Sequence, residues 1–248
     1  MTGGPLGGRA WLCVLGSGTC CGLYYYCLGR AYGESDFTIV YPLARALPVV
    51  LVALWDVLIG RMPTLLGWAG MLLVVAGGLV VPLRSLRGFR PGIYLRRAGL
   101  WVVLTALGTV GYTVLDKLAA ETVRQGPVTA ARYGYLFFAV SWVAYGLLRR
   151  LLPYGPRRGR LNSVPAARWQ VRALAGLAGA MNFGAYWLVL WAYQLVRQTA
   201  YLVAFRQLSI VLGVAAAFVL YKERRAAVRL TGTALIVLGL VLIALWGR

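Results

Sequence analysis

The chain has 248 residues, 60% of them hydrophobic and only 13% charged, and its mean hydropathy is +0.73. A soluble domain is nearer half apolar with about a quarter charged, so the expected fold class is all-α, a polytopic membrane protein. Lys and Arg number 26 against 6 Asp and Glu, and there is no histidine, which removes histidine catalysis and His-ligated metal sites.

A spanning helix needs about 20 mainly apolar residues. Eight runs qualify, at roughly 10–30, 36–58, 64–83, 97–118, 130–150, 173–195, 198–221 and 228–246. Residues 1–9 are Gly-rich and no small-residue cleavage site follows, so a cleaved signal peptide is not expected. The first run holds Cys13, Cys20, Cys21 and Cys27. Their spacing fits neither a zinc site nor a disulfide framework, so they read as packing residues. Gly33-Glu34-Ser35-Asp36 marks a turn before the second run.

The second run contains Tyr41-Pro42-Leu43-Ala44-Arg45-Ala46-Leu47-Pro48. Each proline lacks an N–H and clashes with the carbonyl four residues back. A bent helix with freed carbonyls is predicted, and hydrocarbon tolerates those only beside protein or a wet cavity. Arg45 needs the same shelter. Its functional reading is a cavity residue; the plain alternative is an ion pair or snorkelling. Asp56, beside Trp55, is expected at headgroup level.

Gly60-Arg61-Met62-Pro63 turns the chain into the third run, and a basic loop from Arg84 to Arg97 precedes the fourth. Asp116-Lys117 lies near the end of the fourth run. Asp116 is a candidate partner for Arg45 or Arg206, or a coupling group, because a carboxylate sheltered from water can exchange protons. The alternative is an ion pair near the interface. Gln125-Gly126-Pro127 breaks the chain before the fifth run, and 153–172 is the longest loop. Lys222-Glu223-Arg224-Arg225 closes the seventh, with Glu223 pairing inside that turn.

The positive charges are lopsided. Arg9, Arg61, Arg124, Arg132, Arg197 and Arg248 fall on one side, and most of the other basic residues fall on the other. The positive-inside rule puts the Arg-rich loops in the cytoplasm, against anionic headgroups, and both termini outside. The location expected is the plasma or inner membrane. Nucleic acid is not an expected partner.

The chain resembles itself. Gly22-Leu23-Tyr24 matches Gly184-Ala185-Tyr186, Tyr41 and Arg45 match Tyr201 and Arg206, and Gly70 and Gly77 match Gly232 and Gly239, at offsets of 160–162. Three helices in 10–83 thus correspond to the last three of five in 97–246. An odd number of helices separates the copies, so they run oppositely through the bilayer. That is an inverted repeat, with a site expected at its seam.

Two stretches carry a family resemblance. Ala31-Tyr32-Gly33-Glu34-Ser35-Asp36-Phe37-Thr38-Ile39-Val40-Tyr41-Pro42-Leu43-Ala44-Arg45 is one. Ala200-Tyr201-Leu202-Val203-Ala204-Phe205-Arg206-Gln207-Leu208-Ser209, followed by Tyr221-Lys222-Glu223, is the other. In order and in repeat, they resemble EamA-type members of the drug/metabolite transporter superfamily. The resemblance implies a ten-helix transporter of small metabolites, built from two inverted five-helix repeats. This chain departs from it: the first two helices have no counterpart, giving three plus five. Gly60-Arg61 stands where Gly-Glu is usual, and the family's usual orientation, with both termini in the cytoplasm, is opposite to the one the charges indicate.

The substrate-binding candidates are Arg45, Arg206, Tyr41, Tyr201, Tyr24, Tyr186, Asn182 and Gln207, with Asp116 as the coupling or ion-pair candidate. Aromatic faces attract cations or stack on flat solutes. No phosphate loop, nucleophile–base pair, cofactor motif or metal-ligand cluster is present, so an enzyme is not expected. The expected function is secondary transport of a small organic solute. The alternative is a non-transporting membrane subunit, as a homodimer or with a partner chain supplying helices.

Overall fold

The computed structural model describes residues 7–34, 37–81, 91–152, 168–221 and 227–247. Among these the chain is helical and forms nine helices. They are α1 (Gly8–Glu34), α2 (Phe37–Leu58), α3 (Leu65–Val80), α4 (Pro91–Thr122), α5 (Pro127–Leu151), α6 (Arg168–Tyr193), α7 (Thr199–Phe205), α8 (Leu208–Tyr221) and α9 (Ala227–Trp246). Each predicted apolar run is helical. Five stretches are long and apolar enough to cross a membrane: Gly8–Glu34, Gly99–Thr122, Trp169–Tyr193, Thr199–Ala216 and Val228–Trp246. Leu65–Val80 is a shorter apolar helix. This is the architecture of a helical membrane-embedded protein. Glu223, its basic turn, and most of the Arg-rich loops lie outside the described residues.

The predicted turns have a physical basis. Gly60 sits at φ +76°, a conformation that costs glycine little. Thr64 then caps α3, its side chain accepting from the Gly67 N–H. Gly126, at φ +146°, precedes Pro127 at the start of α5, where a missing N–H is harmless.

Two helix contacts organise the packing. The first sets α1 against α4 and α5. Gly22 faces Ala144, and a Cβ added there would lie 2.6 Å from the Ala144 Cβ. Gly111 of α4 receives Cys20, whose Sγ would stand 2.8 Å from an added Cβ. Cys20 thus packs as predicted.

The second contact sets α3 against α9. Gly70 lies against Gly239, and Gly77 against Gly232. The numbers rise on one helix as they fall on the other, so the helices are antiparallel. Each glycine faces the sequence counterpart of the other, which is the reciprocity a two-fold axis between the helices requires. Small residues at such a crossing let the backbones touch.

The break in the bundle is not at the prolines. α2 runs through Pro42 and Pro48 without interruption. Its counterpart, which has no proline, is the one divided, at Arg206-Gln207 between α7 and α8. The chain turns there through tight backbone bonds, Gln207 N–H to Ala204 O at 2.9 Å and Ile210 N–H to Gln207 O at 2.9 Å. Pro42, in the second turn of α2, lacks the N–H that would bond to Thr38. Pro48 lacks the N–H that would bond to Ala44. Next to that gap, the Gln207 side chain donates to the Arg45 carbonyl at 3.0 Å.

Candidate functional site

A cavity of about 130 Å³ opens where α2, α1, α4 and the α7–α8 break converge. Its walls are Tyr24, Leu28 and Tyr32 of α1, Tyr41, Ala44, Arg45 and Pro48 of α2, Thr109 and Tyr112 of α4, and Val203, Arg206 and Gln207. Helical spacing explains the α2 contribution: positions 41, 44, 45 and 48 lie on one face. Residues 24, 28 and 32 of α1 likewise stack at intervals of four.

The two arginines are held differently. Arg206 sits at the helix break, so its backbone is fixed by the turn rather than by a continuous helix. Its guanidinium lies 5.6 Å from the Tyr186 ring centre and 6.0 Å from that of Tyr112. Its Nη2 donates to the Tyr112 hydroxyl at 3.4 Å. Its Nη1 is buried and has no hydrogen-bond partner. Arg45 is half-buried and lies 5.3 Å from the Tyr41 ring centre. Aromatic faces offer modest attraction to each cation. Among the described residues neither arginine forms an ion pair.

Of the sequence candidates, Arg45, Arg206, Tyr41, Tyr24 and Gln207 share the cavity. Tyr201 does not line it. It is buried toward α3, where its hydroxyl accepts from the Thr64 N–H at 3.1 Å. Tyr186 stands behind Arg206 and stacks on Phe137 at 4.8 Å. Asn182 is exposed on α6 and lines a separate outer groove with Tyr25, Phe138, Ser141, Trp142 and Tyr145.

Asp116 pairs with neither arginine. It is 1% exposed and accepts three hydroxyls, from Ser17, from Tyr133 at 2.9 Å and from Tyr186 at 2.5 Å. A buried carboxylate satisfied this way needs no cation beside it. Its neighbour Lys117 turns elsewhere, to the carbonyls of Tyr193 at 2.9 Å and Val196 at 2.6 Å, and to Glu121 at 3.1 Å. Glu121 also pairs with Arg61 at 2.7 Å, so the arginine in the Gly60 turn ties that turn to the end of α4.

Asp56, near the end of α2, has a partner that its sequence neighbours do not indicate. It is fully buried, and its Oδ2 accepts the Ala200 N–H at 2.8 Å. It therefore caps the start of α7 from another helix. No sequence spacing signals this, because the two residues are 144 positions apart.

Sequence reasoning missed Tyr112 and Thr109. Both lie on α4, for which the repeat offers no counterpart. A usable signal was present: Thr105, Thr109, Tyr112, Thr113 and Asp116 put polar groups on one side of an apolar helix at spacings of three and four. Among the described residues no group of three His, Cys, Asp or Glu could hold a metal ion.

Compared with known proteins, the chain matches no family model and no curated protein.

Proposed function

We propose that this protein is a secondary transporter of the EamA type that moves a small organic solute by alternating access of its two halves. The halves are 10–83, with three helices, and 97–246, with five spans. In this reading α7 and α8 together make one span, broken at Arg206. The observation that carries the proposal is the cavity shared by Arg45 and Arg206, equivalent residues of the two halves, beside that break. Broken helices at a repeat seam are a recurring way to build a transporter site. The reciprocal Gly70–Gly239 and Gly77–Gly232 contacts support an inverted repeat. Charge asymmetry favours Arg-rich loops in the cytoplasm of a plasma or inner membrane, and termini outside.

Purified protein in liposomes tests the proposal. Wild type should take up at least one organic solute faster than empty vesicles. Arg45→Ala and Arg206→Ala should return that uptake to the background. Wild-type uptake no better than empty vesicles across a broad panel would remove the transporter reading.

One observation favours the alternative, a membrane subunit that works by helix packing. Residues 169–182 of α6 are exposed throughout, and Gly176, Gly179 and Gly184 have nothing within 4 Å of an added Cβ. Their counterparts on α1 are pressed against α4 and α5. Repeat symmetry therefore asks for two further helices against α6. Chemical cross-linking in membranes, followed by the mass of the cross-linked species, distinguishes a complex from a lone chain.

A further inference from the structure

The cavity holds two guanidinium groups and no carboxylate. Among the described residues the other acids do not supply one. Asp116 is occupied by three hydroxyls, Asp56 by the start of α7, and Glu121 by Arg61 and Lys117. Glu34 accepts from the Trp101 indole at 2.9 Å. Asp36 and Glu223 lie outside the described residues. Asp116 lies beyond the Tyr186 ring from Arg206 and forms no ion pair with it, and a sheltered cation without a directly paired counter-charge is costly. Among the described residues the cavity wall is cationic and carries no carboxylate, a setting that suits an anion.

Arg206 and Gln207, both on the cavity wall, also carry unmet hydrogen-bonding capacity. Arg206 Nη1 is a buried donor without an acceptor, and Gln207 Oε1 is a buried acceptor without a donor. The other Gln207 atom, Nε2, is fixed on the Arg45 carbonyl, so the amide cannot simply flip to satisfy itself. A ligand that meets both needs carries an anionic acceptor and an O–H or N–H donor. The volume of about 130 Å³ is close to that of a cavity that admits benzene, which limits it to a handful of heavy atoms. The walls are tyrosine rings, whose faces tolerate the carbon skeleton of such a molecule.

We propose that the Arg45–Arg206 cavity binds a small organic carboxylate bearing a hydroxyl, with the carboxylate on Arg206 and the hydroxyl donating to Gln207. This rests on the transporter reading only for its biological purpose, because binding can be measured without flux.

The test uses the full chain in nanodiscs of neutral lipid, titrated calorimetrically with lactate, malate, lactamide and ethanolamine. Lactate or malate should bind; neutral lactamide and cationic ethanolamine should bind at least about tenfold more weakly. Arg206→Gln should weaken carboxylate binding about tenfold or more, and Arg206→Lys should restore part of it. Arg45→Gln, at a half-exposed site, should weaken it as well and serves where the Arg206 variants fold poorly. Lactamide or ethanolamine binding as tightly as lactate, no binding by any of the four, or unchanged affinity in both glutamine variants would overturn the proposal. The same four probes in a liposome flux assay separate the two readings. Carboxylate binding without flux removes transport and leaves the site. Flux of lactamide or ethanolamine without carboxylate binding removes the site and leaves transport.

Discussion

Gly70 and Gly239 meet backbone to backbone. A Cβ on Gly70 would stand 2.7 Å from the Gly239 carbonyl oxygen, and one on Gly239 would stand 2.4 Å from that of Gly70. Neither helix offers a flexible side chain that could give way. The crossing is therefore a rigid joint between the N-terminal three helices and the last helix, next to the core cluster of Met71, Val74, Ile236, Leu240 and Ile243.

That joint makes a direct prediction. Gly70→Ala and Gly77→Ala should each destabilise by about 1–3 kcal/mol, the usual cost of overpacking. Gly176→Ala, in open space, should be neutral or slightly stabilising because alanine is the better helix former. Thermal melting of the three variants in one detergent checks this. Equal melting temperatures would contradict the close α3–α9 approach.

A second prediction concerns the buried carboxylate. Asp116→Leu leaves the hydroxyls of Tyr133 and Tyr186 without their acceptor, and Ser17 with only the Tyr112 carbonyl at 3.4 Å. Each stranded group costs about 1–3 kcal/mol, so this variant should express poorly or melt far below wild type. Asp116→Asn keeps one acceptor oxygen and should be milder. Tyr133→Phe removes one donor, but Ser17 still donates to the same carboxylate oxygen, so it should lose only about 1.5–3 kcal/mol, the range for a bond to a charged group. The ranking by melting temperature should be Tyr133→Phe or Asp116→Asn above Asp116→Leu.

Much of this arrangement was legible in the sequence. Hydropathy located the helical runs, and five stretches among them are long and apolar enough to span a membrane. The repeat brought Arg45 and Arg206 into one list, and the geometry sets them around one cavity. The partners of Asp56 and Asp116 were not foreseen, for a single physical reason. Each is satisfied by groups far away in sequence, Ala200 and the hydroxyls of Ser17, Tyr133 and Tyr186, and no local pattern encodes such a partner. The break at Arg206 was not foreseen, because a turn there leaves no mark in composition. Tyr201 was drawn into the site by its equivalence to Tyr41, yet the α3 side needed its hydroxyl for the Thr64 N–H.

The cap on α7 gives a third prediction. α7 has only seven residues, so little else holds its first turn. Asp56→Ala removes the acceptor for the Ala200 N–H and should cost about 1–2 kcal/mol, as lost caps do. Because α7 leads into Arg206, the same change should also loosen the cavity. Asp56→Asn keeps an acceptor oxygen and should retain most of the stability. Melting curves measure the first effect, and the lactate titration measures the second.

The last prediction contrasts Gly22 with Gly184, which the repeat makes equivalent. An added Cβ at Gly22 would lie 2.6 Å from Ala144 Cβ and 2.9 Å from the Tyr145 backbone nitrogen. At Gly184 there is nothing within 4 Å. In the purified chain Gly22→Ala should therefore lower the melting temperature, and Gly184→Ala should not. If two helices from elsewhere cover α6 as α4 and α5 cover α1, the order changes in the membrane. Gly184→Leu should then weaken cross-linking of the chain to its partner while leaving the isolated chain as stable as before. Cross-linking yield and melting temperature, measured on the same variant, report the two environments separately. A Gly184→Leu chain that melts early on its own would mean that α6 is already packed within the chain.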